Sequence, residues 1–332
     1  MKKLISLLLV SVICLFTLLS CSDTNDSSGE DRVKIKIGYM AGPTGMGMAK
    51  LIHDNGGVQG NENYEFKKFA DTQAAKAELA AGKIDLICLP TNEAAIYFNN
   101  GISDIKVLAI NCLNSLYLLS DSNTDIKSLS DLNGKTIYTC KNGTPRLILE
   151  EVLKTNGITA TVSYTYNGKE ILTPAEVGSL VVSGDLPIAV MPEPIVTSSL
   201  LTINKNGNTS ISYSVDLNLA DGWKSGGINT PITMGCIVGS ADFIKNNETT
   251  IDAFLAEYKA SVEYISKSEN RDTAADYVVE TGVMAAKPAA LKALTNLDDA
   301  ISYIDGSQMK SALVKFYQVI GISSPKADFY YE

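Results

Sequence analysis

The sequence predicts an α/β fold made of two similar lobes. Helical segments alternate with short apolar strands, which is typical of a mainly parallel sheet with helices on both faces. The same plan also occurs twice. A helix, GKID, an apolar strand and LPTN around residue 85 parallel a helix, GDLP, an apolar strand and MPEP around residue 188. Two lobes explain this repetition, and a single long doubly wound domain is the alternative.

Residues 1–32 are predicted to precede the fold. Two lysines and the uncharged apolar stretch 4–19 are typical of a secretory signal peptide, and the stretch is short for a membrane span. Its end, LLSC, resembles the lipobox of bacterial lipoproteins, which implies removal of residues 1–20 and acylation of Cys21. The polar segment 22–32 is expected to be a flexible tether. The alternative is an ordinary signal peptide or uncleaved anchor that contains a cysteine.

The first lobe begins with the alternating strand VKIKIGYM at Val33, followed by a GPTG turn. The elements expected after this turn are a helix over 46–53, a helix over 74–81 that stops at Gly82, a strand over 84–89, a helix over 92–98 and a strand over 105–111.

The second lobe repeats this order from about residue 129. Thr144 is the expected N-cap of a helix that runs to about Thr155, with Pro145 at the first helical position. The remaining elements are a strand over 135–139 before that helix, and after it a helix over 175–182, a strand over 188–191, and helices over 249–268, 271–280 and 299–320.

Composition excludes several classes of function. The net charge of −9, which becomes more negative without residues 1–20, repels phosphate backbones, so no nucleic-acid partner is expected. Beyond the leader, the cysteines lie in apolar runs without C-x-x-C spacing, and His53 is the one histidine, so neither a metal nor a cofactor is expected. Buried free thiols are the first interpretation of Cys88, Cys112, Cys140 and Cys236, and an unassigned disulfide is the alternative.

Five segments together resemble one family. They are IGYMAGPTG, AAKAELAAGKIDLICLPTNEAA, SLSDLNGKTIYTCKNGTPRLILEEVLKTNGI, SGDLPIAVMPEPIVTSSLL and VGSADFIKNNETTIDAFLAEYKASVEYI. In this order they are similar to the ABC-importer solute-binding proteins that bind nitrate, sulfonates, taurine or thiamine pyrimidines. The resemblance implies the type II periplasmic binding protein fold. Its lobes would be 33–115 with 235–332, and 116–234, joined by crossings near 115–120 and 230–235.

The resemblance also implies the function and the partners. The chain is expected to be a monomeric extracytoplasmic lipoprotein, held to a bacterial membrane through Cys21. It would deliver a small molecule to an ABC permease and its ATPase.

Ligands of open α/β sheets bind at the carboxyl ends of strands, which places five loops around one cleft. These loops are 39–45, 89–92, 111–115, 141–145 and 191–194. Helices that begin near residues 46 and 145 would direct unpaired N–H groups into it. The expected ligand-binding residues are Tyr39, Gly42, Pro43, Thr44, Gly45, Met46, Pro90, Thr91, Asn92, Asn114, Ser115, Asn142, Gly143, Thr144, Glu193 and Trp223.

Several of these residues have a second interpretation. The GPTG loop could be only a tight turn, and the aromatic rings of Tyr39 and Trp223 could stack on a ligand or pack in the core. Glu193 could bind a ligand N–H group or fix its own loop. Arg146, beside Lys141, is the candidate arginine for an anion, or else a residue of a solvated helix face.

Scarce arginine, the available aromatic side chains and a single acid favour a small neutral or weakly charged ligand. Among the ligands of the resembled family, this implies a pyrimidine-like or other heteroaromatic compound. Nitrate or an alkyl sulfonate is the alternative ligand. An enzyme is not expected, because His53 stands alone and no G-x-S-x-G, Walker A or G-x-G-x-x-G motif occurs. A surface sensor or adhesion lipoprotein on the same fold is the other alternative.

Overall fold

Two sheets with helices on their faces organise the chain. The computed structural model describes residues 32–102, 104–207 and 210–332, and Val33–Glu332 form one compact unit. The predicted signal peptide and Cys21 lie outside the described residues. The strands are β1 (Ile35–Met40), β2 (Tyr64–Phe69), β3 (Leu86–Pro90), β4 (Ile105–Leu113), β5 (Leu116–Asp121), β6 (Thr136–Tyr138), β7 (Thr161–Ser163), β8 (Thr165–Tyr166), β9 (Lys169–Glu170), β10 (Ile188–Pro192), β11 (Tyr213–Asn218), β12 (Thr233–Ser240) and β13 (Ile301–Asp305).

The α-helices of the described residues follow the same numbering along the chain. They are α1 (Pro43–Gly47), α2 (Ala49–Asp54), α3 (Thr72–Ala80), α4 (Thr91–Asn99), α5 (Thr144–Thr155), α6 (Pro174–Ser183), α7 (Ile195–Asn206), α8 (Leu219–Ser225), α9 (Ala241–Asn246), α10 (Glu248–Ser266), α11 (Arg271–Glu280), α12 (Lys287–Asn296) and α13 (Gly306–Val319).

The first sheet has the strand order β13-β4-β12-β3-β1-β2, and the second has the order β11-β5-β10-β6-β7. The chain passes from the first sheet to the second between β4 and β5, and returns between β11 and β12. The sheets are mixed, whereas mainly parallel sheets were predicted. β1 pairs in parallel with β2 and β3, but β12 runs antiparallel to both β3 and β4, because it enters its sheet on the return from the other one.

The repeated plan predicted from the sequence is present in the sheets. β3 lies between the parallel β1 and the antiparallel β12. β10 likewise lies between the parallel β6 and the antiparallel β5. Each of the two strands ends in a proline and leads into a helix, α4 or α7. The two segments that share a sequence pattern therefore occupy equivalent positions in the two sheets.

Buried apolar side chains form the core on both faces of the sheets. One cluster covers the face of the first sheet that packs against α2, α10 and α11. It includes Ile37, Phe254 and Tyr258, each 0% exposed. A second cluster contains residues of both sheets, such as Leu89 of β3 and Val190 of β10. Burial of each such side chain stabilises the fold by ~1.5–3 kcal/mol. Helices α5 and α13 each contribute one apolar face to this second cluster.

Some predicted elements need correction. The expected helix 299–320 is the strand β13 followed by α13, because Ile301–Asp305 pairs with β4 and Gly306 starts a separate helix. The N-cap of α5 is Gly143, and Thr144 is already helical. The sequence analysis did not predict strands β2, β5, β7, β8, β9, β11 and β12 or helices α7, α8, α9 and α12.

Cys88, Cys112, Cys140 and Cys236 are free and buried, which confirms the first interpretation. Within the described residues, no helix is long and apolar enough to cross a membrane.

Candidate functional site

The candidate site lies where parallel strands end and helices begin. β1 ends at Met40, β3 at Pro90, β6 at Tyr138 and β10 at Pro192. These strands lead into α1, α4, α5 and α7. Contacts between side chains show which of the loops meet.

The start of β12, residues Thr233, Met234 and Gly235, contacts loops from both sheets, and we call it the 233–235 segment. The hydroxyl of Thr91 donates a hydrogen bond of 2.6 Å to the backbone oxygen of Thr233. The hydroxyl of Thr144 donates to Sδ of Met234 at 3.6 Å. Thr91 opens α4 beside the first sheet and Thr144 opens α5 beside the second. The 233–235 segment thus brings together one helix start from each sheet.

Gly235 also lets the loop after β1 approach this segment. A Cβ atom at Gly235 would lie 2.4 Å from Cγ2 of Thr44 and 2.8 Å from Oδ1 of Asn111. Both distances are shorter than van der Waals contact, so only glycine allows these two side chains to come so close. Thr44 was predicted as a ligand-binding residue, and Asn111 begins one of the five predicted cleft loops.

Helices α4 and α5 begin without a capping side chain. Pro90 is the N-cap of α4, and Gly143, with a φ of 84°, is the N-cap of α5. Side chains cap α3, α6, α8 and α9, and the other described α-helices, like α4 and α5, begin without such a cap. The first N–H groups of an uncapped helix are free to bind another group, and the positive end of the helix favours an electronegative one. Both helix starts therefore offer donors next to the 233–235 segment.

Two buried amide oxygens have no hydrogen-bond partner in the described part of the chain. They are Oδ1 of Asn92, which is 3% exposed, and Oδ1 of Asn111, which is 0% exposed. Nδ2 of Asn111 donates to the hydroxyl of Tyr258 at 2.9 Å. A buried acceptor without a partner costs ~1–3 kcal/mol, so each calls for a donor. Asn92 is the second residue of α4, so an acceptor accompanies the N–H donors of that helix start.

The loop after β1 has the geometry of a tight strand-to-helix turn. Gly42 is the N-cap of α1 with a φ of 142°, and a Cβ atom at Gly45 would lie 2.2 Å from the backbone oxygen of Met40. Pro43 is buried and Met46 is 0% exposed. These contacts support the interpretation as a turn.

The carboxylate of Glu193 accepts hydrogen bonds from two other residues of the protein, Thr197 and Asn296. The donors are the backbone N–H of Thr197 at 3.1 Å, the hydroxyl of Thr197 at 2.9 Å and Nδ2 of Asn296 at 2.6 Å. The residue is 1% exposed, and burial raises the pKa of its carboxyl group, although the hydrogen bonds from Asn296 and Thr197 lower it. These bonds support the second interpretation, in which Glu193 fixes its own loop.

Asn114 and Ser115 form the first crossing between the sheets. Asn114 has a φ of 45°, its N–H donates to the backbone oxygen of Ile232 at 3.1 Å, and its Oδ1 accepts from the N–H of Ile232 at 3.3 Å. The backbone oxygen of Ser115 accepts from the N–H of Glu193 at 3.0 Å. Because Ile232 belongs to the return crossing, Asn114 joins the two crossings to each other.

The two aromatic candidates are core residues. Tyr39 is 1% exposed, and its hydroxyl donates to the backbone oxygen of Thr281 at 2.9 Å. Trp223 is 2% exposed, its Nε1–H donates to the backbone oxygen of Thr230 at 2.8 Å, and its ring lies 5.9 Å from that of Phe316. This packing supports the core interpretation for both.

The cationic candidates near α5 are paired with acids. Arg146 donates to both carboxylate oxygens of Glu150, at 2.9 and 3.0 Å. Lys141 forms an ion pair of 2.6 Å with Glu170. Asn142, which follows Lys141 in the sequence, is exposed. These ion pairs favour the solvated helix face as the interpretation of Arg146.

The histidine is also a surface residue. Nδ1 of His53 lies 2.7 Å from a carboxylate oxygen of Glu280, and its ring stacks on Tyr277 at 4.0 Å. These contacts place His53 in an ion pair and a ring stack at the protein surface.

A surface cavity of about 850 Å³ lies away from the helix starts. It is lined by the return crossing, 227–231, and by one face of α13 that includes Ser311 and Lys315. The sequence analysis did not anticipate it.

Sequence reasoning missed the 233–235 segment and Asn296, and it included Asn111 only as the first residue of a predicted cleft loop. The segment arrives from a distant part of the chain, and no local pattern marks its contact with α4 or α5. Gly235 at the start of a strand was the one available signal, since glycine there often marks close approach of another group.

Part of the sequence matches a known family. Residues 63–175 match the sequence model of the family described as NMT1/THI5 like. No curated protein sequence matches the chain significantly.

Several solved structures share the fold. An ABC transporter protein from Parabacteroides distasonis has a TM-score of 0.70 at 19% identity, over 90% of this chain and 99% of that one. The periplasmic aliphatic sulphonate binding protein SsuA from Escherichia coli has a TM-score of 0.67 at 17% identity, over 90% and 92%. The periplasmic nitrate-binding protein NrtA from Synechocystis PCC 6803 has a TM-score of 0.61 at 14% identity, over 87% and 81%.

The SsuA and NrtA structures are named as binding proteins. The predicted resemblance is confirmed by the fold and by the family match. The chain has the two-lobed α/β fold of the type II periplasmic binding proteins, and its residues 63–175 match the NMT1/THI5-like family.

Proposed function

We propose that the chain is an extracytoplasmic solute-binding lipoprotein, which captures a small molecule between two lobes and delivers it to an ABC importer. One observation carries the proposal. The starts of α4 and α5 come from different sheets, lack capping side chains, and both contact the 233–235 segment. Unpaired donors from two lobes at one place are what a ligand held between lobes requires.

The polar groups at these helix starts favour a ligand with both an acceptor and a donor. First-turn N–H groups would bind an electronegative atom of the ligand, and Oδ1 of Asn92 would accept from a ligand N–H group. Arg146 is neutralised by Glu150. A small neutral or weakly charged compound, pyrimidine-like or otherwise heteroaromatic, fits this set best. Nitrate or an alkyl sulfonate, bound by the N–H groups alone, is the second candidate, and the names of the similar SsuA and NrtA structures support it.

Access to the site requires that the lobes separate. Thr91, Asn92 and Thr144 are each no more than 3% exposed. We take the crossings at Asn114–Ser115 and 226–232 as the hinge. The predicted lobes are 33–115 with 235–332, and 116–234, and we move the return boundary to 232 because Thr233 and Met234 already belong to β12 of the first sheet. Hinge closure around a ligand is a common motion of such folds.

The N-terminal segment would hold the protein at its transporter. A lipid on Cys21 and the polar tether 22–32 would keep a monomeric binding protein close to the permease and ATPase. Metabolic labelling with palmitate tests the anchor, because the Cys21→Ala variant should lose both label and membrane association. Label retained by that variant would contradict it.

A thermal-shift screen tests the binding function. The fragment Val33–Glu332 is heated with pyrimidines and other heteroaromatics, alkyl sulfonates, nitrate and amino acids. A specific ligand raises the thermal midpoint by mass action. We expect one class of compound to do so. Silence across the panel would favour the sensor or adhesion protein instead.

Two asparagines on α4 provide a matched pair of variants to test how the compound found in the screen binds. Asn92 lies at the start of the helix and is buried, whereas Asn99 lies at its end, is exposed, and donates to the backbone oxygen of Ser323 at 2.8 Å. Asn92→Ala should weaken binding about tenfold, which corresponds to the loss of one buried hydrogen bond. Asn99→Ala should leave the affinity unchanged. Equal affinities for the two variants would remove Asn92 from the site.

A further inference from the structure

Asn296 joins the two lobes through three hydrogen bonds. It is the last residue of α12, in the part of the chain that follows the return crossing. Its Nδ2 donates to Oε1 of Glu193 at 2.6 Å and to Oγ1 of Thr197 at 3.2 Å. Its backbone oxygen accepts from the hydroxyl of Tyr117 at 2.6 Å. Glu193, Thr197 and Tyr117 all belong to the second sheet or its flanking helix, so one residue of one lobe contacts three of the other.

The partners of Asn296 are held in place on their own lobe. Glu193 accepts from the backbone N–H of Thr197 at 3.1 Å, and its own N–H donates to Ser115 in the first crossing. Its carboxylate is buried, so removal of the Asn296 amide would leave a buried charge with fewer donors, which is costly. The bonds are therefore strong enough to influence the position of one lobe against the other.

We propose that Asn296 is a latch that favours the closed arrangement of the lobes, and that the ligand site opens when its bonds to Glu193 and Tyr117 break. This inference rests on the proposed function, because it requires two lobes that move. The latch would set the fraction of closed protein before any ligand binds. It would thereby set the apparent affinity without contact with the ligand.

Distance measurements without ligand test the latch. Ala41→Cys and Asn142→Cys place spin labels on exposed residues, one on each lobe, in the fragment Val33–Glu332. The four native thiols of the fragment are buried, so the labels attach to the introduced ones. Double electron–electron resonance then reports the populations of short and long distances. Asn296→Ala removes the bonds made by the side chain, and Tyr117→Phe removes only one hydroxyl.

We expect the ratio of open to closed protein to rise about tenfold in Asn296→Ala and about threefold in Tyr117→Phe, as expected for the loss of such hydrogen bonds. Asn99→Ala, which removes an amide–carbonyl bond inside one lobe, should leave the ratio unchanged. Tyr117→Phe still provides the answer if Asn296→Ala does not fold.

Two results would overturn the latch. One is a distance distribution that is the same in wild type and both variants, and the other is a wild type that is already open. Neither depends on a ligand, so a silent thermal-shift screen would refute the proposed function without changing this measurement.

Discussion

The hydroxyl of Thr91 lies 2.6 Å from the backbone oxygen of Thr233, and both residues are 0% exposed. The backbone oxygen of Thr91 in turn accepts from the hydroxyl of Tyr317 at 3.0 Å. The start of α4 is therefore fixed against β12 and α13. Donors that are held rigidly in this way bind a ligand with little loss of conformational entropy.

Removal of the Thr91 hydroxyl should destabilise the protein. Thr91→Val keeps the shape but deletes a buried hydrogen bond, so we expect the free energy of unfolding to fall by ~1–2 kcal/mol. Thr144→Val is the matched change, because its hydroxyl contacts a thioether, a weak acceptor. It should cost less than ~0.5 kcal/mol. Urea denaturation of both variants measures the difference, and equal losses would contradict the importance given to the Thr91–Thr233 bond.

A side chain at Gly235 should disturb the meeting point of the loops. In Gly235→Ala the new Cβ atom would lie 2.4 Å from Cγ2 of Thr44, so neighbouring groups must move. Such overpacking costs ~1–3 kcal/mol, and ligand binding should weaken with it. Gly47→Ala is the control, since its Cβ atom would meet nothing nearer than 3.3 Å. Calorimetric unfolding that shows no difference between the two variants would refute the close approach at Gly235.

The buried thiols should be unreactive in the folded protein. Burial raises the pKa of Cys88, Cys112 and Cys140 to about 12, and that of Cys236 well above its usual value. Since the thiolate is the reactive form, a disulfide reagent at pH 8 should modify the fragment Val33–Glu332 only after urea is added. All four thiols should then react. Rapid reaction of any of them without urea would contradict the burial.

Ionisation of Glu193 should lower stability as the pH rises. Its folded pKa lies above the unfolded value of ~4.3, so the folded state binds more protons between the two values. The free energy of unfolding therefore has a contribution that is complete below the unfolded pKa. That contribution is lost as the pH rises through the folded pKa.

Glu193→Gln removes this titration. Compared with wild type, the variant should gain relative stability as the pH rises from about 4 towards 7. Urea denaturation at several pH values measures the difference. A difference that stays constant with pH would mean that the folded and unfolded pKa values of Glu193 are equal.

Local sequence patterns were sufficient to predict those strands and helix ends that depend on a few neighbouring residues. The apolar runs that became β3 and β10, and the glycines that end α3 and α6, lie where the sequence predicts them, because periodicity and glycine act over a few residues. The segment Ile301–Asp305 was predicted as helix. It became a strand because pairing with β4, which is distant in sequence, outweighed local preference.

The candidate site was only partly predictable, for the same reason. Thr91, Asn92 and Thr144 follow from the general rule about strand ends. Asn296 could not be found, because its contact with Glu193 spans a sequence separation of 103 residues. Burial of Tyr39 and Trp223 likewise depends on helices that pack against them from elsewhere in the chain.

A crystal structure with the compound that gives the largest thermal shift tests the central claim most directly. We predict that the compound lies at the 233–235 segment, with first-turn N–H groups of both α4 and α5 bound to its electronegative atoms. A compound seated elsewhere, such as the cavity lined by 227–231 and α13, would contradict the claim that this protein captures its ligand between the two helix starts.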